Sequence, residues 1–154
     1  MKKLIALILV FTAVTAIAYA DTEKKSKSTE EYIADLSQDK DENVIIEAAD
    51  WAGEKKNKDA IDRLAGLIND ERENVRLHAV MALGYIGDEK GVDAVNSSLL
   101  NDESADVRYA ALLASFRIGS KKSLDTWKQA KEKETDPFIQ DFLKKAEEQA
   151  MKKK

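Results

Sequence analysis

Cysteine is absent from the 154 residues. That excludes a disulfide framework, a thiol nucleophile, a cysteine zinc site and a lipid-modified N-terminal cysteine. There is a single histidine, His78, so no second imidazole can complete a zinc site. No alternating apolar–polar run or hairpin signal points to strands. An excess of basic charge is also missing. The net charge is −4, and the basic surface that nonspecific nucleic-acid binding needs is not there. No Gly-rich phosphate loop, His-Glu-x-x-His or Ser-x-x-Lys motif occurs.

What is there begins with an uncharged, largely apolar run from Leu4 to Ala18, behind Lys2 and Lys3. It is too short for a membrane span, which needs roughly 20 residues. Ala18-Tyr19-Ala20 fits the small-x-small cleavage pattern and polar Asp21 follows. Residues 1–20 are therefore expected to be a signal peptide cleaved after Ala20. Cleaved or kept as an anchor, the segment places the folded part in the periplasm or outside the cell. Residues 21–28 read as a flexible charged leader, residues 29–150 as one repeat domain, and residues 151–154 as a basic tail.

The repeat signal is strong. Asn74-Val75-Arg76-Leu77-His78-Ala79-Val80-Met81-Ala82-Leu83-Gly84-Tyr85-Ile86-Gly87 returns 32 residues later, from Asp106 to Gly119. An earlier copy runs from Asn43 to Gly53, and a degenerate one starts at Pro137-Phe138-Ile139, each offset by 31. Such periods mean a solenoid of small helical units, none of which can bury its apolar face alone. Each unit divides into two helices. Helix A carries Val75, Ala79, Leu83 and Ile86, or Val107, Ala111 and Ile118, on one face. Ala48, Ala79 and Ala111 are small enough for close helix approach. Helix B carries Ile61, Leu64 and Ile68, then Val92, Val95 and Leu99, then Leu124, Trp127 and Ala130. Gly87 and Gly119 suit left-handed C-caps. Asp41 and Ser104 stand at N-cap positions, Thr135-Asp136-Pro137 opens a last helix, and Ser28 with Glu31 forms a capping box for a first one. The expected order is a leading helix, three helix pairs and a closing helix.

The pattern Asp/Asn-Val-Arg-x-x-Ala-x-x-Ala-Leu-Gly-x-Ile-Gly-Asp, followed by an apolar helix ending Leu-Leu-x-Asp, resembles the short HEAT-like repeat named after phycobilisome lyases. The match covers roughly residues 29–150 and is tightest from Asn74 to Gly119. The resemblance implies an all-α fold, a short right-handed α-solenoid. It also implies that Arg76 and Arg108 tie neighbouring units together, with Asp93 and Asp106 as candidate acceptors. Ile45 and Ile139 replace that arginine, Trp51 replaces an alanine, and Ser115-Phe116 replaces Leu-Gly.

The enzymes of the wider family do not fit. HEAT-like di-iron hydroxylases use His-Glu pairs, but His78 is followed by Ala79. Bilin lyases work in a cytoplasm, and HEAT-like DNA glycosylases need a basic groove. Other features have plain readings. His78 aligns with Glu47 and Ala110, which predicts a solvent-facing side chain. Asp39 to Asn43 superficially matches a calcium loop, but Val44 stands where that loop requires glycine. Asn96-Ser97-Ser98 matches a glycosylation sequon but falls inside a helix. Trp51 and Trp127 read as core, Trp51 packing against Tyr32 and Leu36.

What remains is surface. The outward residues of the B helices are expected to include Asp62, Arg63, Gly66, Asp93, Ala94, Asn96, Ser97, Thr126 and Lys128, small and uncharged in the middle unit. This is the candidate partner-binding face of a non-catalytic, cofactor-free protein-interaction module of a bacterial envelope. The partner is a protein, with no nucleic acid. Membrane contact is limited to the uncleaved precursor or a weak touch of the basic end. A second reading uses that end, from Lys121 to Lys154, in an accessory subunit that stabilises an envelope assembly. A third, a small-ligand or metal-binding enzyme, has no residue set behind it. Neither the partner's identity nor the oligomeric state carries a sequence signal.

Overall fold

The computed structural model describes residues 27–152. The expected signal peptide, most of the charged leader and the last two lysines lie outside the described residues. Among the described residues eight α-helices follow one another: α1 (Thr29–Asp35), α2 (Glu42–Glu54), α3 (Ile61–Leu67), α4 (Glu73–Ile86), α5 (Val92–Asn101), α6 (Ala105–Ile118), α7 (Ser123–Lys133) and α8 (Pro137–Lys152). Short 3₁₀ turns, Lys58–Ala60 and Glu89–Gly91, lead into α3 and α5. There is no strand among the described residues. The order is the expected one: α1 leads, α2/α3, α4/α5 and α6/α7 are the pairs, and α8 closes.

Local chemistry sets most boundaries. The hydroxyl of Ser28 accepts from the Glu31 amide, and the Glu31 carboxylate accepts from the Ser28 amide, so the capping box is present. Asp41 accepts from Asn43 N at 2.9 Å to start α2, and Asp136 accepts from the amides of Phe138 and Ile139 to start α8. Ser104 occupies its N-cap position but does not cap. Its hydroxyl donates instead to Glu73 Oε1 at 2.7 Å, one unit earlier. Gly87 and Gly119 both sit at φ 70° as left-handed caps, and in the first unit Lys56 takes that role at φ 50°, a conformation that costs a side chain with a Cβ.

Folded structure already includes Lys27, whose ammonium pairs with Asp35 and Glu47 at 2.9 and 3.0 Å. The A helices α2, α4 and α6 pack side by side along the stack, while each B helix packs against the next A helix. Ala48, Ala79 and Ala111 are fully buried along this seam. At Gly84 the approach is closest, because a Cβ there would lie 2.8 Å from the Cα of Ala114. The ends are closed by aromatic packing. Trp51 stacks on Tyr32, centroids 4.5 Å apart. Trp127 is buried and donates to the Ser115 hydroxyl, which in turn donates to the Leu112 carbonyl. That pair explains why serine is tolerated at a fully buried position.

The first copy keeps the expected phase, with Ala48 and Ala52 buried like Ala79 and Leu83, but its leading apolar residues exchange burial, and the last copy is shifted by one residue. Val44 is only half-buried, and Ile45 is the buried residue at that point. In α8, Ile139 is 2% exposed and continues the valine register of Val75 and Val107. Gln140, not Ile139, then takes the arginine's place: its amide nitrogen donates to the Glu134 carbonyl. The last offset is 32 rather than 31.

Candidate functional site

Two surfaces and one internal ladder concentrate the polar and apolar chemistry. The ladder runs along the turns that join each B helix to the next A helix. Arg76 donates through Nε and Nη2 to both carboxylate oxygens of Asp102, at 2.9 and 3.2 Å. It also reaches the carbonyls of Asp70 and Glu71 and the carboxylate of Glu103. Arg108 repeats the pattern one unit on, with Glu134 at 2.8 and 2.9 Å and the carbonyls of Asp102 and Glu103. Both arginines therefore join units, as the resemblance implied. Their acceptors are Asp102 and Glu134, not Asp93 or Asp106, because the guanidinium points along the turn rather than across the helices.

Asp70, Asp102 and Glu134 recur every 32 residues, a signal present in the sequence that the repeat arginines alone did not expose. The first unit has Ile45 where an arginine would serve Asp70. Arg72 fills the gap from the other side. It donates to both Asp70 oxygens at 2.7 and 2.8 Å and to the carbonyls of Gln38 and Lys40.

The Arg72 guanidinium holds the Asp70 carboxyl below the ordinary value, against the opposing effect of burial. Arg108 does the same for Glu134, helped by the amides of Asp136 and Thr135. Depressed folded-state values mean that this stabilisation is fully present above the unfolded carboxylate pKa, about 4. It is lost as pH falls through the lower folded values. The urea midpoint is therefore expected to be insensitive to these groups from about pH 6 to 8 and to drop below about pH 4. Glu134→Gln should be less stable at neutral pH and should lose less on acidification. An acid loss of the same slope in both proteins would remove Glu134 from this account.

The B-helix surface differs from the sequence expectation at two positions. Asp62, Arg63, Gly66, Asp93, Ser97 and Lys128 are exposed, and Ala94 is half-buried. Asn96 and Thr126 are each only 8% exposed. Asn96 accepts from the Ser123 hydroxyl at 3.0 Å across the unit junction, which also removes it as a glycosylation site. The reason is that a B helix inside the stack is flanked by units on both sides, so its buried arc is wider than three apolar residues imply.

Beside Ser97 a cleft of about 460 Å³ opens between the C-terminal ends of α3 and α5, lined by Asn69, Glu71, Arg76, Ser98, Asn101 and Glu103 among others. A smaller one of about 240 Å³ lies one unit further, at Asn101, Arg108, Lys133 and Thr135. On the floor of the larger, the Ser98 hydroxyl is buried without a hydrogen-bond partner among the described residues.

The A-helix side carries the second surface. A groove of about 310 Å³ between α4 and α6 is lined by Leu77, Met81, Tyr85, Tyr109, Leu113 and Arg117. The Arg117 guanidinium lies 4.2 Å from the Tyr85 ring centroid. Phe138 of α8 packs on Tyr109 and is 64% exposed. This apolar surface was not anticipated, because its residues alternate with the core positions of the same helices. His78, expected to face solvent, is half-buried at the edge of this side. Its Nδ1 lies 2.7 Å from Asp50 Oδ1 in the preceding unit.

A stack of antiparallel helix pairs with an arginine–carboxylate ladder between units defines an α-solenoid of the repeat class. The chain belongs to the HEAT repeat family, whose model matches residues 29–115 and, overlapping them, 64–142. No curated protein matches it. HEAT repeats in general are scaffolds that mediate protein–protein contact.

Proposed function

We propose that this protein is an exported, non-catalytic binding module of a bacterial envelope that holds an extended segment of a partner protein along its B-helix side. The observation that carries this reading is the cleft beside Ser97, lined almost entirely by polar side chains. Asn69, Glu71, Asn101 and Glu103 around it offer donors and acceptors that favour a polar occupant. The ladder beneath supports the same conclusion: Arg76 is already bonded to five acceptors, which makes a rigid wall rather than a reactive one. A second cleft at the repeat spacing gives an extended chain a second, similarly placed site. Residues 1–20 support export.

The test is a pull-down from envelope extract with the protein recovered after export. Its intact mass is expected to correspond to a chain starting at Asp21. Ser97→Arg puts bulk and an unpaired charge at the rim and should leave the urea midpoint within about 0.5 kcal/mol, since Ser97 is exposed. It should weaken partner binding about tenfold or more. Glu54→Arg, on an A helix, should bind normally. Equal binding by wild type and Ser97→Arg sinks the B-side reading.

A further inference from the structure

We propose that the A-helix groove is a self-association surface whose occupant is a second copy of this chain, docked antiparallel about a twofold axis. The B-side reading does not depend on it. Single exposed apolar residues are ordinary, but a contiguous run is not. Here Tyr85, 47% exposed, and Leu113, 40%, line one groove, and Phe138, 64% exposed, packs on its Tyr109.

Charge selects the occupant. The A helices all run in one direction, so every B-to-A turn lies on one edge of the stack and every A-to-B turn on the other. The first edge presents Glu73 and Asp106, both exposed, beside Glu103, which Arg76 reaches at 3.2 Å. The second presents Arg117 and Lys121, also exposed. Of the acidic groups on the second side, Asp88 is paired with Lys58 at 2.9 Å, Asp93 with Lys122 at 3.3 Å and Asp125 with Lys128 at 3.2 Å, and Glu89 accepts from the Ser120 hydroxyl.

Asp106 and Arg117 both line the groove, at opposite ends of α6, about 16 Å apart along the helix axis. A twofold axis passing between Ala110 and Leu113 sets Asp106 of each copy against Arg117 of the other. The same operation lays the apolar residues of each groove over those of the other. Self-complementarity of this kind, i meeting j and j meeting i, is what an isologous interface requires. A foreign helix would have to carry the matching pattern of charge by coincidence, whereas a second copy supplies it by symmetry.

The experiment is sedimentation equilibrium on protein purified from bacteria expressing the full chain. The wild type is expected to be a concentration-dependent dimer. Leu113→Asp should raise the dissociation constant by at least about thirtyfold, with helical content unchanged and, at concentrations where both proteins are monomeric, an unchanged urea midpoint, because Leu113 is exposed. Asp106→Arg and Arg117→Asp should each weaken the dimer about fivefold to thirtyfold at low salt. Combined in one chain, the two changes should restore it to within about threefold of wild type. A protein that stays monomeric at millimolar concentration overturns the proposal, and so does a double variant that is no better than the weaker single. A monomeric protein that still binds its partner in a Ser97-dependent way refutes self-association alone. A dimer with no Ser97-dependent partner refutes the B-side reading alone.

Discussion

Arg76→Ala is expected to lower the stability by about 3–5 kcal/mol, a large part of the 5–15 kcal/mol typical of a domain. The side chain of Arg76 is 8% exposed and that of Asp102 only 4%. Truncation leaves a buried carboxylate whose remaining contact is the Ser104 amide at 2.9 Å. It also strips the carbonyls of Asp70 and Glu71 of their side-chain donor. Arg76→Lys should recover only part of the loss, since an ammonium cannot bridge two carboxylate oxygens and two carbonyls at once. Arg108→Ala should cost less, about 1–3 kcal/mol, because its guanidinium is more exposed and sits nearer the end of the stack. Urea unfolding followed by far-UV circular dichroism reads all three. In a stack where each unit touches only its neighbours, loss of the central tie should also broaden the transition. A loss below about 1 kcal/mol for Arg76→Ala would mean that Asp102 finds water or another donor.

Gly84→Ala should destabilise even though alanine is the better helix former. Propensity favours the substitution by about 1 kcal/mol. The added Cβ would meet the Cβ of Ala114 at 2.6 Å and its Cα at 2.8 Å. Backbone cannot rotate away as a side-chain tip can, so α4 and α6 must separate. Overpacking of this kind costs about 1–3 kcal/mol, and more for a rigid neighbour, which outweighs the propensity gain. Gly66→Ala is the contrast. Nothing lies within 4 Å of its added Cβ, so the same exchange in α3 should stabilise by about 0.5–1 kcal/mol. Ala114→Gly combined with Gly84→Ala should recover part of the loss. If Gly84→Ala and Gly66→Ala shift the urea midpoint in the same direction, the close approach of α4 and α6 does not govern the junction.

The order and number of helices and the A-face apolar register of Val75, Ala79, Leu83 and Ile86 were legible in the residues, while the inter-unit role of Arg76 and Arg108 was implied by the family resemblance. The helices and their register were legible because each unit repeats the same local problem at nearly constant spacing, so periodicity alone locates the helices and their buried stripes. Tertiary packing decided the rest. Asn96 and Thr126 are buried because neighbouring units widen the buried arc of a B helix, and a single helix read by itself shows only its central stripe. His78 meets Asp50, Ser104 meets Glu73, and Arg72 serves Asp70 in place of the absent arginine at Ile45. Each of these pairs joins groups whose approach depends on how one unit leans on the next. The apolar groove between α4 and α6 likewise exists only in the stack. Its Leu77, Met81, Tyr109 and Leu113 flank the core stripe along the sequence, and only the separation of two helix axes fixes whether such flanks are covered or left open.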